Sequence, residues 1–154
     1  MTTYESLTKP DAAERTMRVG EELIAAVAKQ GIGELTFRKA ISSPWGNERN
    51  SPLYQILSFY RIDLGGENPD QAEETLNQLQ AYFAQLGYDE GANEGVRWLG
   101  DGYGDFAVRD TDTGFSYTLM IMKRHVGISL FISSPPFDNP DPKKIFYPIR
   151  PTQE

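Results

Sequence analysis

Two stretches of the chain alternate between large apolar side chains and side chains that are mostly smaller or more polar. The large positions are Phe115, Tyr117, Leu119 and Ile121 in residues 115–122, and Val126, Ile128, Leu130 and Ile132 in residues 126–133. Successive side chains of a β-strand point to opposite faces of its sheet, so a period of two predicts two strands, each with one strongly apolar face. Because only residues 123–125 separate them, the sequence predicts a β-hairpin with its large-residue face against the core.

Two other segments place apolar residues at the three- and four-residue steps of an amphipathic helix. The first covers about residues 9–30, begins at the capping residue Thr8 and ends near Gly31. The second begins at residues 68–71, an Asn-Pro-Asp-Gln start signal, and ends at Gly87. Its apolar positions are Ala72, Leu76, Leu79, Phe83 and Leu86. We expect two helices, each with one apolar stripe facing the core.

Four further segments read as strands, at residues 34–43, 53–64, 96–99 and 106–109. The second is apolar on both sides, which places it centrally in the sheet. The element order is therefore α-β-β-α-β-β-β-β, and most connections between neighbouring strands are too short for a crossover. The fold class we predict is α+β, a two-layer sandwich of a mainly antiparallel sheet with two helices on its large-residue face.

The chain length and the distribution of proline predict the domain organisation. A chain of 154 residues fits one domain. We place a single α+β domain at residues 1–134. Proline is frequent after that, so residues 135–154 are expected to form an extended C-terminal tail packed on or beside the domain, with residues 145–149 along the sheet edge.

Composition narrows the function classes. The net charge is −7, and residues 62–96 contain acids but no Lys or Arg, which disfavours nucleic acid as a partner. Cysteine is absent, which removes thiol catalysis and thiolate metal sites. No apolar run approaches the length of a membrane span, and residues 1–10 lack a signal-peptide pattern. We expect either a cytosolic protein or one whose export signal was removed, and no cofactor.

Catalytic motifs do not emerge from the sequence. His125 is the sole histidine and sits at the predicted hairpin turn, and no nucleophile-elbow motif accompanies it. The glycine string at residues 100–104 leads into a strand rather than into the helix that a phosphate loop requires. We therefore nominate no catalytic residue. Four carboxylates of neighbouring turns form a candidate divalent metal site: Asp101, Asp105, Asp110 and Asp112.

The second face of the predicted hairpin is a candidate contact surface. It presents small polar residues together with Met120, Met122 and Phe131, and Trp45 lies in a polar loop elsewhere. Methionine and aromatic side chains on a mostly polar sheet face suit contact with a protein partner or a small ligand. The alternative is that the proline-rich tail or the Trp45 loop covers this face.

Several of these features together resemble a known family. They are a polar loop with Trp45 and Gly46, a helix running out through residues 83–88, a glycine-rich turn with aspartate and a hairpin ending in residues 132–135. The arrangement, over about residues 12–136, resembles the small exported lipoproteins of actinobacteria. Members often carry a pair of cysteines, whereas this chain has Trp45 and Gly46 in the loop and Pro136 after Pro135. It also lacks the lipobox cysteine, which fits a chain from which the anchor has been removed.

The resemblance implies a location rather than an activity, because that family has no established activity to transfer. It implies an extracytoplasmic protein held at the membrane only through a lipid anchor outside this chain. Our first functional hypothesis is accordingly a non-enzymatic binding or interaction domain, a lipoprotein ectodomain. The alternatives are a hydrolase built on carboxylates or a divalent metal, and a cytosolic chaperone-like or immunity-type protein partner.

Overall fold

The computed structural model describes residues 4–5, 10–45, 52–64, 69–91, 95–100, 103–122, 125–138 and 147–151. Its helices are α1 (Pro10–Lys29) and α2 (Pro69–Gln85). Its strands are β1 (Tyr4–Glu5), β2 (Leu35–Pro44), β3 (Leu53–Asp63), β4 (Arg97–Gly100), β5 (Tyr103–Arg109), β6 (Ser116–Met122), β7 (His125–Ser133), β8 (Phe137–Asp138) and β9 (Tyr147–Pro151). In the described part of the chain, neither helix is long and apolar enough to cross a membrane.

The strands form one antiparallel sheet in the order β1-β9-β2-β3-β7-β6-β5-β4, and β8 pairs with the start of β3. The predicted hairpin is β6 and β7, paired from Ser116↔Ser133 through Ile121↔Ile128. Strand β7 also pairs with β3, which brings the two halves of the chain together in the middle of the sheet. A strand that is apolar on both sides is suited to this central position, as the sequence of β3 predicted.

Both helices pack on the same face of the sheet. Helix α1 contacts β2 and β3, while α2 contacts β5, β6 and β7. One cluster of buried side chains joins the two helices to that face. Its members exposed by less than 2% include Leu76, Phe83, Phe115, Leu119, Ile128, Leu130 and Ile132. Burying each such side chain contributes about 1.5–3 kcal/mol. The predicted α+β sandwich, with its helices on the large-residue face, is confirmed.

The glycines predicted to end the helices have the backbone geometry that this role requires. Gly31 follows α1 with φ 70°, and Gly87 follows α2 with φ 77°. The Gly31 N–H donates to the Ala28 carbonyl and the Gly87 N–H to the Ala84 carbonyl, both at 3.0 Å. Because a side chain at positive φ is strained, glycine is the favoured residue at both positions.

The last strands extend the sheet rather than cover it. Strand β8 pairs with Leu53 and Tyr54, and β9 pairs with β2 through residues 147–149 and with β1 through residues 150–151. In the described part of the chain, each residue of β9 is therefore paired with one neighbouring strand. Proline lacks the N–H that pairing on both sides would need, so Pro148 and Pro151 are compatible with this arrangement.

Helix α1 approaches the sheet closely at Gly20. A Cβ atom added there would lie 1.7 Å from the Tyr60 hydroxyl oxygen and 2.5 Å from the ring carbon that bears it. Tyr60 is buried on β3, so its ring cannot swing out to solvent. The absence of a side chain at Gly20 thus sets the distance between α1 and β3.

We predict that Gly20→Ala destabilises the protein by about 1–3 kcal/mol, the usual cost of overpacking. In an unobstructed helix the same change would stabilise by about 1 kcal/mol. Urea unfolding therefore decides between the two by the sign of the change. Adding Tyr60→Phe removes the nearest atom and should restore part of the loss. A more stable Gly20→Ala protein would contradict the close approach.

Burial, together with the negative charge of Glu21, raises the pKa of Tyr60 to about 12. In the unfolded chain this tyrosine ionises near its ordinary pKa of 10.0. Stability from its neutral form is therefore complete below about pH 10 and is lost as the pH rises toward about 12.

We predict that the free energy of unfolding falls over this window and that Tyr60→Phe flattens the fall. The measurement is urea unfolding at a series of alkaline pH values. An equal slope in the variant and the parent protein would show that Tyr60 does not contribute.

Candidate partner-binding face of the sheet

The side of the sheet away from the helices differs sharply from the buried side. Along β3, buried residues alternate with half-buried ones, and β5 repeats the pattern. No described helix packs on the half-buried side, since both contact the other face. We call this side the open face, defined by Lys39, Ile41, Leu57, Phe59, Arg61, Asp105, Ala107, Arg109, Ser116, Thr118, Met120, Ser129, Phe131 and Ser133.

An aromatic pair occupies the middle of the open face. Strand register places Phe59 directly beside Phe131. Their ring centroids lie 5.2 Å apart at 83°, an edge-to-face contact that aromatic quadrupoles favour. The Lys39 ammonium lies 5.0 Å from the centroid of the Phe59 ring, in the range of a cation–π contact. On the other side, Thr118 follows Phe131 in the same row.

The rows above and below this pair are also partly apolar. One runs across the sheet through Ile41, Leu57, Ser133 and Ser116. The other contains Met120, which pairs with Ser129. The centre of the open face thus combines aromatic, branched aliphatic and thioether side chains with small hydroxyl groups.

Charged side chains lie at the borders of the open face. The Arg97 guanidinium makes two hydrogen bonds to the Asp105 carboxylate, at 3.0 and 2.8 Å, which raise the pKa of Arg97. At another border, Arg61 pairs with Asp63 at 2.6 Å. Within the described residues, neither Lys39 nor Arg109 forms an ion pair.

The structure brings together only part of the predicted surface. Met120 and Phe131 both lie half-buried on the open face. The backbone of Met122 ends β6, but its side chain is outside the described part. Trp45 lies past the last paired residue of β2, Pro44, and not within the rows of the open face. Its side chain is 39% exposed.

Sequence reasoning missed the contribution of β3 and β2 to this surface. Phe59 and Leu57 stand on the second apolar side of β3, which we interpret from the sequence only as a sign of a central position in the sheet. The same apolar side could have predicted that β3 contributes to this surface. The position of Lys39 over Phe59 had no sequence signal, because the chain bulges between Phe37 and Lys39.

The four aspartates proposed as a metal site have separate roles where the structure describes them. Asp105 is bound to Arg97. Asp110 accepts hydrogen bonds from the Asp112 N–H at 3.0 Å and from the Thr113 hydroxyl at 2.8 Å, which closes the turn between β5 and β6. Asp101 is outside the described residues, and those described contain no group of three or more metal-ligating side chains suited to an ion. A site formed by all four stays a prediction.

Comparison of the chain with models of protein families, with curated proteins and with solved structures found no match. No relative therefore supplies a function or a set of site residues to test against the sheet. The functional argument depends on the chemistry of the surfaces themselves.

We predict that the Phe59–Phe131 contact contributes about 0.5–1.5 kcal/mol beyond the burial of each ring. A double-mutant cycle with Phe59→Leu, Phe131→Leu and the double variant isolates this coupling, because leucine keeps apolar area but removes the ring. The measurement is urea unfolding of the four proteins. Additive losses in the double variant would mean that the edge-to-face geometry contributes nothing.

Proposed function

We propose that this protein is a non-enzymatic interaction domain whose open face binds another protein. The observation that carries the proposal is the Phe59–Phe131 pair, held on a sheet face that no described helix covers. Aromatic side chains in such a position contribute little to the core but offer a large, rigid contact area. A protein surface suited to that pair would bury both rings on binding.

The arrangement of the open face has the anatomy of a protein interface. Protein interfaces combine a well-packed apolar centre with a polar rim, and they are enriched in aromatic residues, Met and Arg. Here Phe59, Phe131 and Met120 form the centre, while Arg61 and Arg97 stand at the borders. Small hydroxyl side chains lie between the apolar ones, and the charges nearest the centre are Lys39, over the Phe59 ring, and Asp105, beside Met120.

The borders also indicate the chemistry of the partner. The chain carries a net charge of −7, yet Lys39 and Arg109 on the open face form no ion pair with any described residue. A partner with carboxylates around an apolar patch would complement these cations and would be steered toward this face rather than toward the acidic surfaces. We therefore infer a protein partner with an acidic rim.

The hydrolase alternative receives less support from the described residues. The Asp105 carboxylate is paired with Arg97, and the Asp110 carboxylate accepts hydrogen bonds within the β5–β6 turn. The cytosolic chaperone-like or immunity-type alternative also requires a protein partner, so it differs from our proposal mainly in compartment. The sequence resemblance to exported lipoproteins favours the extracytoplasmic setting, with a lipid anchor outside this chain.

A photo-crosslinking amino acid placed at Met120 tests the proposal. We expect one discrete protein adduct in intact cells, recovered with the cell envelope if the domain works outside the cytoplasm. The same amino acid at Gln78, exposed on α2, is the matched control and should not give that adduct. Phe131→Glu places an unpaired charge at the centre of the face and should reduce the adduct about tenfold or more, equivalent to about 1.4 kcal/mol.

Two results would contradict this function. One is an adduct pattern that is identical from Met120 and Gln78, which would indicate contact without a preferred face. The other is full adduct yield from Met120 in the Phe131→Glu protein, provided that circular dichroism shows the variant to be folded. Fractionation of the adduct with cytosolic proteins would leave the interaction in place and transfer the proposal to the cytosol.

A further inference from the structure

A groove of about 290 Å³ lies on the helix side of the sheet. Its walls come from α1 at Leu23, from the end of α2 at Leu86, from the β5–β6 turn at Asp110 and from β6 at Tyr117. Tyr117 belongs to the buried face of β6, so the groove and the open face lie on opposite sides of the sheet. The groove is independent of the surface to which we assign partner binding.

Aromatic rings line one side of this groove. The Tyr88 and Tyr117 rings are stacked, with centroids 5.6 Å apart and an interplanar angle of 11°. Phe83 lies 5.2 Å from the Tyr117 ring and 5.7 Å from both Tyr88 and Tyr82, measured between centroids. The faces of such rings carry partial negative charge.

Two carboxylates stand at the same groove. Glu22 is exposed on α1, and Asp110 is held by its hydrogen bonds from Asp112 and Thr113. A carboxylate has about four acceptor positions, so those bonds leave Asp110 able to accept more. In the described part of the chain neither carboxylate forms an ion pair, and none of the described residues that line the groove is basic.

The negative charges of Glu22 and Asp110 raise the pKa values of the tyrosines in the groove. Burial is the largest cause that raises the pKa of Tyr88, followed by the negative charge of Asp110. Burial and the neighbouring Tyr88 raise the pKa of Tyr117, and Asp110 and Glu22 raise it further. The groove is therefore a place where a second negative charge is disfavoured and a positive one is favoured.

We propose that this groove binds a small organic cation of the alkylated or quaternary ammonium class. The charged head lies between Glu22 and Asp110, and its alkyl groups lie against the rings of Tyr88 and Tyr82. Cation–π attraction and two carboxylates favour the charge, while Leu23 and Leu86 accept the aliphatic part. The chain already holds one cation in this manner, since the Arg15 guanidinium lies 5.6 Å from the centroid of the Phe115 ring.

Other ligand classes fit the groove less well. An anion would meet the two carboxylates, and Arg15 and Arg18, which share a neighbouring pocket with Glu22, do not line this groove. Calcium prefers six to eight oxygen ligands, far more than two carboxylates supply. A neutral apolar ligand would use the rings but gain nothing from Glu22 and Asp110. The volume lies near the lower end of ligand pockets, about 300–1,000 Å³, which limits the ligand to a small molecule.

Calorimetric titration of the protein with choline, compared with the neutral analogue in which carbon replaces the quaternary nitrogen, tests this proposal. The two molecules share a shape and differ in charge. We expect choline to bind about tenfold more tightly than the analogue. Its N-methyl proton resonances should also shift upfield on binding, because aromatic rings shield nuclei above their faces.

Three variants assign the effect to the groove. Glu22→Gln and Tyr88→Leu should each weaken choline binding about tenfold. Glu21→Gln removes the same charge from the neighbouring exposed position, which does not line the groove, and should change the affinity by less than about twofold. Phe131→Glu on the open face should leave choline binding intact, which separates this proposal from the proposed partner surface.

The proposal is overturned if choline and its neutral analogue bind equally, if neither binds, or if Glu21→Gln weakens binding as much as Glu22→Gln. A choline complex without the upfield shift would also overturn it, since the rings would then not contact the ammonium group.

Discussion

The antiparallel pairing of β3 with β7 is the constraint on which the rest of the fold depends. It places Tyr60 opposite Leu130 and Ile62 opposite Ile128 on the buried face, and Phe59 opposite Phe131 on the open face. Side chains alternate along a strand, so a slip of one residue would turn every large side chain of β7 away from the helices. That register therefore determines both the core and the surface opposite it.

The position of the helices follows from the same buried face. Helix α1 rests on β2 and β3 where Gly20 allows contact with Tyr60, and α2 rests on β5, β6 and β7. The sheet is wide enough for the two helices to lie over different strands, which leaves a groove where α1, α2 and the β5–β6 turn meet. The stacked rings of Tyr88 and Tyr117 line one side of that groove. Its shape is thus a consequence of how the layers meet and not of a local motif.

The sequence separation of the residues in each interaction determined whether it could be predicted from the sequence. The hairpin, the start of α2 at Pro69 and its end near Gly87 were predictable, because each depends on neighbouring residues. The contact of Phe59 with Phe131 was not, since it joins strands distant in the chain. The sequence placed residues 145–149 along the sheet edge, but it did not identify β2 and β1 as the neighbours of β9, and it gave no sign that Tyr88 stacks on Tyr117. The pattern of apolar positions identifies the apolar face of each helix or strand. Only the register of the strands in the folded sheet decides which of those faces lie side by side.

The two sides of β6 contribute differently to the fold, which leaves room for the recognition surfaces that we propose. Tyr117 faces the core and the groove, while the next residue, Thr118, stands on the open face beside Phe131. Stability resides mainly on the first side, where Leu119 and Ile121 are buried. Substitutions at open-face positions leave those buried contacts in place, so their cost to folding is confined to contacts within the open face, such as the Phe59–Phe131 pair. Substitutions at core positions of the same strand act more widely, because a change of one methylene group is felt in a close-packed interior.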